Sequence, residues 1–349
     1  MKQLCYLVLF CGILQSSCTK SPTENEENNI PSEDTGLFLH YYGWGARHAS
    51  LTWSKNTDEL FIAGEKGIQA IDLSTLSVRT IKGTDWVNNS FGDSWDLSHD
   101  GNTLYYLLTG SDGHGPLYRI SIDGHNRQLL DDNECSELCL SLDDSYLAYY
   151  VYHPGIEGMA DSLYTFKIAS NEKIFLGIGC PLTFTPDSKS LLYYYWTHPD
   201  TTPSQSSFVS YSITSIENAD TYPISIDTPY YAAVPKCFCD NSGIYVLYWP
   251  EILRCSVRNI TTNETIYTWT ENCYAYGPSY TFSTLGTKIA YYSSAWGEYA
   301  LNLVDLSSKK ESCIAYSQQK CGAHSIAFSP DDSKIAFAFG ECIYMKEIP

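Results

Sequence analysis

Basic residues are scarce in this sequence. Its 349 residues include 21 Lys and Arg against 40 Asp and Glu, and the formal net charge at pH 7 is −19. Binding to DNA or RNA requires a basic surface that neutralises phosphates, and no cluster of Lys and Arg occurs along the chain. The composition therefore excludes nucleic acid as an expected partner, and it disfavours acidic polysaccharides for the same reason.

The sequence also lacks the pattern of amphipathic helices. Only 3 Met occur, and no long segment places apolar residues at the 3.6-residue period of a helix. Aromatic residues are abundant instead, with 29 Tyr, 13 Phe and 8 Trp. Because aromatic side chains fit the half-buried surface of a pleated sheet, the sequence predicts an all-β protein.

Motifs that carry catalytic or metal chemistry are missing as well. The chain contains no Gly-x-Ser-x-Gly turn, no phosphate-binding loop, no His-x-x-x-His or His-Glu-x-x-His pair and no Cys-x-x-Cys pair. These absences disfavour a serine hydrolase, a nucleotide-dependent enzyme, a zinc ribbon and thioredoxin-type redox chemistry. They favour a binding protein that needs no cofactor.

The first 35 residues have the pattern of an export signal followed by a polar leader. Lys2 precedes an apolar run from Leu4 to Leu14, which is too short to span a bilayer, and small residues then lead to Cys18. Residues 1–17 are therefore predicted to be a signal peptide. Residues 18–35 are polar and acidic apart from Cys18 and one Ile, and they are predicted to form a disordered tether.

Small residues directly before Cys18 resemble the bacterial lipobox, in which the cysteine is acylated. The polar leader that follows resembles that of lipoproteins from the Bacteroidetes group. The resemblance implies an outer-membrane lipoprotein that faces either the periplasm or the cell surface and meets the membrane through its lipid alone. An ordinary signal peptide followed by an incidental Cys18 is the alternative.

A short turn motif recurs through the rest of the chain. Its clearest copy runs from Ile326 to Phe337, where Ser-Pro-Asp-Asp separates two apolar segments. Pro presets φ at the second position of a turn, and Ser and Asp side chains bind nearby amides, so the motif specifies a β-hairpin locally. The seven copies begin at Ser54, Ser98, Ser141, Thr185, Cys239, Ser283 and Ser329.

The spacing of these copies predicts the architecture. They are separated by 44, 43, 44, 54, 44 and 46 residues, and a period of about 40–45 residues is typical of β-propellers with four-stranded antiparallel blades. Residues 36–349 are therefore predicted to form one seven-bladed β-propeller. After Ser329 the chain has room for three strands only, so residues 36–42 are expected to supply the outer strand of the last blade and close the ring.

These turns resemble the WD40-like repeats of the TolB-like propeller family, whose turn reads Ser-Pro-Asp-Gly before an apolar strand. The resemblance covers about residues 36–349 and implies a fold rather than an activity. Seven repeats in place of six blades, and a lipid anchor in place of an N-terminal α/β domain, depart from that family. The role of TolB is therefore not implied.

Aromatic residues concentrate in the loops at the end of the blades opposite to the repeated turns. Long loops with aromatic tips on a rigid scaffold are where binding usually resides, and flat rings in an acidic setting suit neutral sugars or peptide segments. We therefore predict a non-catalytic scaffold that binds a neutral glycan or an envelope protein. Packing between blades is the structural alternative for each of the candidate binding residues, which are Trp44, Trp86, Tyr152, Trp196, Tyr231, Trp249, Tyr276 and Trp296.

Histidines in the same loops support a different function. A His cluster at the mouth of a propeller can hold a divalent metal, as in oligogalacturonate lyases, which are similar in being seven-bladed. The alternative is therefore a metal-dependent carbohydrate-active enzyme of the lyase type. Arg47 is the one Arg in these loops, which disfavours an anionic substrate. The candidate metal ligands are His114, His153 and His198.

The cysteines leave their pairing open. Ten remain once Cys5, Cys11 and Cys18 are set aside, and an even number in an exported chain permits disulfides without fixing their connectivity. Unpaired structural thiols are equally compatible with the sequence. Proximity along the chain favours the pairs Cys135/Cys139, Cys255/Cys273 and Cys313/Cys321.

Overall fold

The part of the chain that the computed structural model describes is entirely β in its regular structure. Residues 1–35, which contain the predicted signal peptide, Cys18 and the tether, lie outside the described residues. No helix within the described residues is long and apolar enough to cross a membrane. The described residues are 36–41, 50–64, 66–82, 95–108, 114–153, 162–197, 208–229, 236–240, 243–251, 254–270, 280–295, 298–317 and 321–348.

The strands are short, with one exception of 13 residues. In chain order they are β1 (Leu37–Tyr41), β2 (Ser50–Trp53), β3 (Glu59–Gly64), β4 (Gly67–Asp72), β5 (Val78–Lys82), β6 (Trp95–Leu97), β7 (Thr103–Leu107), β8 (Gly115–Ser121), β9 (Gln128–Leu140), β10 (Tyr146–Val151), β11 (Ser162–Lys167), β12 (Glu172–Ile178), β13 (Cys180–Phe184), β14 (Ser190–Thr197), β15 (Phe208–Ser215), β16 (Thr221–Pro229), β17 (Lys236–Asp240), β18 (Gly243–Glu251), β19 (Arg254–Asn259), β20 (Glu264–Thr270), β21 (Tyr280–Phe282), β22 (Lys288–Ala295), β23 (Glu298–Asp305), β24 (Lys310–Ser317), β25 (Cys321–Phe328), β26 (Lys334–Phe339) and β27 (Cys342–Glu347).

These strands assemble into five sheets of four antiparallel strands and one sheet of seven. In four of the smaller sheets the strands follow chain order, as β2–β5, β13–β16, β17–β20 and β21–β24. Strands of neighbouring sheets contact one another around an axis, from β2 to β25 and then to β21, β17, β13 and β9, and β9 also contacts β6 within the seven-stranded sheet. The architecture is therefore a β-propeller of four-stranded antiparallel blades.

The predicted number of seven four-stranded blades differs from what the described residues show: five sheets have four strands each, and β9 joins two predicted blades into one sheet of seven. The first half of β9 pairs with β8 from Gln128 to Cys135, and the second half pairs with β10 from Cys135 to Leu140. This strand contains no Gly or Pro, so nothing interrupts it where the sequence predicts a loop between blades. A bulge at Glu137, whose φ is 40°, marks the second half.

The ends of the described chain meet in one sheet, whose strand order is β1-β27-β26-β25. β1 pairs antiparallel with β27, so that Leu37 lies opposite Met345 and Tyr41 lies opposite Cys342. The N-terminal strand thus occupies the outer position that the sequence predicts for it, and it covers backbone groups that β27 would otherwise expose. At the adjoining junction, Trp53 Nε1 donates a hydrogen bond to the carbonyl oxygen of Ala327 at 3.0 Å.

The hydrophobic core lies between neighbouring sheets. Second strands such as β3 and β10 are buried at nearly every position because other sheets cover both of their faces. Fourth strands such as β5 and β12 are mostly exposed or half-buried. Most clusters of buried side chains join adjacent sheets, as where Phe61 and Ile68 pack with Leu104 and Tyr106. Apolar packing of about 1.5–3 kcal/mol for each fully buried side chain therefore holds the blades together.

One of the disulfide pairs that proximity along the chain favours is not formed. Cys135 is a free and fully buried thiol, and burial raises its pKa. Cys139 lies four residues further along β9, a distance of about 13 Å at the rise of a strand, and a disulfide cannot bridge that distance. Cys273 and the side chain of Cys321 lie outside the described residues, so the other two pairs stay predictions.

Candidate functional site

The repeated turn joins the first two strands of each blade, and in six copies a Ser or Thr hydroxyl organises it. In the last copy, Ser329 Oγ accepts a hydrogen bond from the amide of Lys334 at 2.9 Å and donates one to Asp331 at 2.7 Å. Asp331 in turn accepts from the amide of Ser333 at 3.1 Å. The same circuit occurs around Ser98, Ser141 and Thr185. The motif that identifies the repeat is therefore the hydrogen bonding of a hairpin.

The same hydroxyls keep the turn carboxylates ionised. Donation by Ser329 lowers the pKa of Asp331 to about 2. Donation by Thr185 holds the pKa of Asp187 below its usual value, and Ser98 has this effect on Asp100. We call the end of the blades that carries these turns the turn end. Because its carboxylates stay charged at neutral pH, the turn end is acidic.

Two aspartates at the fourth position of the turn link neighbouring blades. Asp332 accepts hydrogen bonds from the backbone amides of Thr284 and Leu285 at 2.7 and 3.1 Å. Asp144 accepts the amide of His99 at 2.8 Å, and its Oδ1 lies 2.9 Å from Nδ1 of that imidazole. Their φ values of 55° and 57° lie in the left-handed region, which Asp enters more readily than most residues. Asp at this position therefore fits the turn and also reaches the preceding one.

Two cavities open among these turns, next to the first strands of the blades. A cavity of about 220 Å³ lies between β2, β21 and β25, and Lys55, Thr284 and Pro330 border it. A larger cavity of about 480 Å³ lies among β9, β13, β17 and the turn that follows β21. We call the larger one the turn-end cavity. Its lining residues are Leu140, Leu142, Thr183, Phe184, Cys237, Phe238, Asp240, Thr284 and Leu285.

A glycine shapes one wall of the turn-end cavity. Gly286 has a φ of 68°, and a Cβ at this position would lie 2.0 Å from Cε1 of Phe238. The ring of Phe238 therefore rests against the backbone of the next blade, with its centre 6.0 Å from that of Phe282. Glycine is required here by the turn conformation and by the approach of the ring.

The adjoining sector of the turn end is polar. Asp96 in β6 accepts the amides of Leu97 and Leu140 at 2.8 and 3.1 Å. Burial raises the pKa of Asp96, while nearby His99, these amides and Lys55 act against that rise. Desolvation lowers the pKa of Lys55, although the negative charges of Asp96 and Asp144 act to raise it. The turn end thus divides into an apolar sector and a charged one.

At the opposite end of the blades, which we call the loop end, the structure brings two predicted residues together. The ring of His114 stacks on that of Tyr152 with centroids 4.3 Å apart and an angle of 8° between the planes. His114 also meets Tyr150 edge to face at 6.1 Å. The amide of Tyr152 donates to the carbonyl oxygen of Glu134 at 2.8 Å, and its side chain stays 38% exposed. These contacts hold an aromatic pair at the loop end.

The structure does not test ligand binding at any of the predicted residues, and it describes few of their side chains. Trp196 lies in β14 and Trp249 in β18, but their side chains lie outside what the structure describes. The other five lie wholly outside the described residues, and they are Trp44, Trp86, Tyr231, Tyr276 and Trp296.

The predicted metal ligands also stay a prediction. Nε2 of His153 lies 3.0 Å from Oγ of Ser162, and His114 is stacked on Tyr152. His198 lies outside the described residues. Within the described ranges, no group of three His, Cys, Asp or Glu side chains is placed to hold a metal ion. The described residues by themselves therefore do not make up the ligand set that a divalent metal needs.

Comparisons with known proteins identify the fold of this chain and do not identify its activity. No protein-family profile and no curated protein matches the chain. Among solved structures, the chain is similar to the β-propeller domain of Cps50 (Swd1) from Myceliophteria thermophila, with a TM-score of 0.63, 12% identity and coverage of 91% of this chain and 100% of that one.

Two oligogalacturonate lyases are similar to a comparable degree. The one from Vibrio parahaemolyticus has a TM-score of 0.60 and 13% identity over 91% of this chain and 92% of its own. A second, in complex with manganese, has a TM-score of 0.59 and 14% identity over 90% of both chains. At such identities the likeness establishes a propeller and carries no activity with it.

The sequence did not predict the turn-end cavity. The repeated turns were predicted to have a structural role only, and binding was predicted for the loops at the opposite end of the blades. A signal was present in the second and third turn positions, where Leu142 and Leu285 replace the Pro or polar residues of other copies. That the two leucines line one cavity follows only from the order of the blades around the axis.

Proposed function

We propose that this protein is a non-catalytic binding scaffold, a seven-bladed propeller that engages a neutral glycan or a protein partner at its loop end. The His114–Tyr152 pair carries the proposal, because it presents an exposed aromatic ring at the end of a β-sheet. The count of seven treats β9 as the outer strand of one blade and the first strand of the next. The net charge of −19 favours a neutral or cationic ligand over an anionic one.

The ring pair suits such a ligand for a physical reason. His114 precedes β8 and Tyr152 follows β10, so two adjoining four-stranded units contribute one ring each. The bond from the amide of Tyr152 to Glu134 fixes the backbone at this point. A sugar ring or a peptide side chain that stacks on Tyr152 therefore loses little affinity to the ordering of the protein.

A glycan array and a panel of envelope proteins, probed with the purified chain, test this proposal. We expect Tyr152→Ala to weaken the binding that the array reveals by about tenfold, which corresponds to the loss of one aromatic contact. Tyr222→Ala is the matched control, since Tyr222 is 65% exposed on the outer strand β16. Equal affinities of the wild type, Tyr152→Ala and Tyr222→Ala for the ligand would show that the binding site lies elsewhere.

We further propose that Cys18 is acylated and anchors the protein in the outer membrane, facing the periplasm or the cell surface. The sequence before and after Cys18 supports this proposal. Cys18→Ala should release the protein from the membrane fraction, as measured by cell fractionation and by loss of labelling with a palmitate analogue. Continued membrane association without label in either protein would contradict acylation at Cys18.

The second candidate is a metal-dependent carbohydrate-active enzyme. The likeness of the fold to a manganese-bound oligogalacturonate lyase favours it. Elemental analysis of the purified chain distinguishes the two functions. A stoichiometric divalent metal that is lost when His114, His153 and His198 are changed to Ala, together with turnover of a polysaccharide, would support the enzyme.

A further inference from the structure

The turn-end cavity has the size and chemistry of a binding site. Its volume of about 480 Å³ lies in the range of about 300–1,000 Å³ that is usual for pockets that take small ligands or a few side chains. Phe184 and Phe238 form apolar walls, and Asp240 is the charged residue among those that line it. The cavity lies at the turn end, so it is independent of the loop-end site proposed above.

Two exposed leucines border this cavity. Leu142 is 45% exposed and Leu285 is 57% exposed, and each lies in the turn of a different blade. Single exposed leucines on a protein surface need no explanation. Here two of them border one cavity together with Phe184 and Phe238, so apolar side chains are concentrated at one place, which we call the apolar patch; such concentrations mark binding surfaces.

The turns around the patch are acidic. Their described residues, 141–145, 185–189, 240 and 283–287, include four Asp and a single Lys. Asp143 and Asp187 each accept a hydrogen bond from the hydroxyl of their own turn, at 2.8 and 2.6 Å. Burial tends to raise the pKa of Asp143, but its hydrogen bonds outweigh this and lower it, and the bond from Thr185 lowers the pKa of Asp187. The apolar patch therefore has an anionic rim.

We propose that the turn-end cavity binds a segment of a protein partner that presents an aliphatic side chain next to Lys or Arg. The aliphatic group fills the space between Leu142 and Leu285, and the cation faces Asp240 and the rim. A second copy of this chain is a poorer occupant, because two bodies that each carry a net charge of −19 repel one another.

The test uses the purified full-length protein and a set of fluorescein-labelled hexapeptides, followed by fluorescence anisotropy. Each probe has Leu, Ile or Val at its centre beside one Lys or Arg. Matched probes carry Glu in place of the cation or Ser in place of the aliphatic residue. We expect saturable binding of cationic aliphatic probes at least about tenfold tighter than that of either matched set, and weaker binding at higher salt.

Three substitutions locate the binding. Leu142→Ser and Leu285→Ser should each weaken it by about tenfold, and Asp240→Asn should reduce its dependence on salt. Leu129→Ser is the matched control, because Leu129 is 47% exposed on β9 and does not line the cavity. Circular dichroism checks that every variant folds.

Three results would overturn the proposal. The first is the absence of saturable binding by any cationic aliphatic probe, and the second is equal affinity for the wild type and the two leucine variants. The third is a concentration-dependent dimer, seen by sedimentation, that Leu285→Ser abolishes, since it would make a second copy the occupant.

Discussion

At the scale of single residues, a few hydroxyl and carboxylate groups specify the repeated turn. Ser329 is 4% exposed, and its oxygen is both the acceptor for the amide of Lys334 and the donor to Asp331. Thr185 fills the same place in another blade. The position therefore requires a hydroxyl, whereas the extra methyl group of Thr is tolerated. At Cys239 the hydroxyl is missing, and there Asp240 Oδ1 accepts the amide of Gly243 at 3.0 Å instead.

Replacement of this hydroxyl should cost stability. Ser329→Ala leaves the amide of Lys334 without its side-chain acceptor, so we expect the free energy of unfolding to fall by about 1–3 kcal/mol in urea titrations at pH 7. Ser329→Thr is the matched control and should stay within about 0.5 kcal/mol of the wild type. An Ala variant as stable as the Thr variant would show that the hydroxyl is dispensable.

The loss of stability caused by Ser329→Ala should be smaller at acidic pH. The pKa of Asp331 is about 2 in the folded protein against a usual value of 3.8, so its bond with Ser329 stabilises the fold above about pH 4. That contribution disappears as the pH falls from about 4 to about 2 and the carboxylate is protonated. The difference in unfolding free energy between the wild type and Ser329→Ala should therefore shrink over this window. A difference that stays constant from pH 5 to pH 2 would contradict this role.

At the scale of strands, sequence patterns predict best where the interactions are local. The bonds among Ser98, Asp100 and Asn102 lie within five consecutive residues, so the sequence is enough to predict the turn. The continuity of β9 is harder to predict, because it depends on the absence of a loop between two blades. The turn-end cavity depends on residues far apart in the chain, such as Leu142 and Leu285, and local patterns do not contain it.

A buried polar contact ties β9 to the strands that follow. Asp131 is 7% exposed, and it accepts hydrogen bonds from Tyr149 Oη at 2.7 Å and from Lys173 Nζ at 2.5 Å. Burial tends to raise the pKa of Asp131, but the bonds from Lys173 and Tyr149 outweigh this and lower it. Lys173 also lies 4.0 Å from the ring centre of Tyr164. The first half of β9 is thereby joined to β10 and β12.

Removal of the cation should loosen this connection. Lys173→Met leaves a buried carboxylate with one fewer donor, and we expect a loss of about 2–3 kcal/mol in unfolding free energy. Lys167→Met is the matched control, because Lys167 is an exposed residue of the neighbouring strand β11. The double variant Asp131→Asn/Lys173→Met should regain part of the loss, since it no longer buries an uncompensated charge. Equal stability of Lys173→Met and Lys167→Met would show that the contact between Asp131 and Lys173 does not stabilise the fold.

At the scale of the whole molecule, both proposed sites depend on a closed ring. The aromatic pair at the loop end and the turn-end cavity are each built from more than one blade. Their geometry therefore requires that the blades hold fixed positions around the axis. The pairing of β1 with β27 brings the N-terminal strand into the last blade, and the bond from Trp53 to Ala327 joins that blade to the next. The central claim is that the chain closes on itself in this way.

A cysteine placed opposite Cys342 tests the closure most directly. Tyr41 and Cys342 are partners in the register of β1 and β27, so Tyr41→Cys should form a disulfide with Cys342 under mild oxidation. Phe38→Cys is the control, since Phe38 lies opposite Tyr344. Mass spectrometry of unreduced tryptic peptides should find the 41–342 crosslink in the first variant alone, with a higher Tm than after reduction. The absence of this crosslink in a folded, oxidised Tyr41→Cys protein would contradict the closed ring.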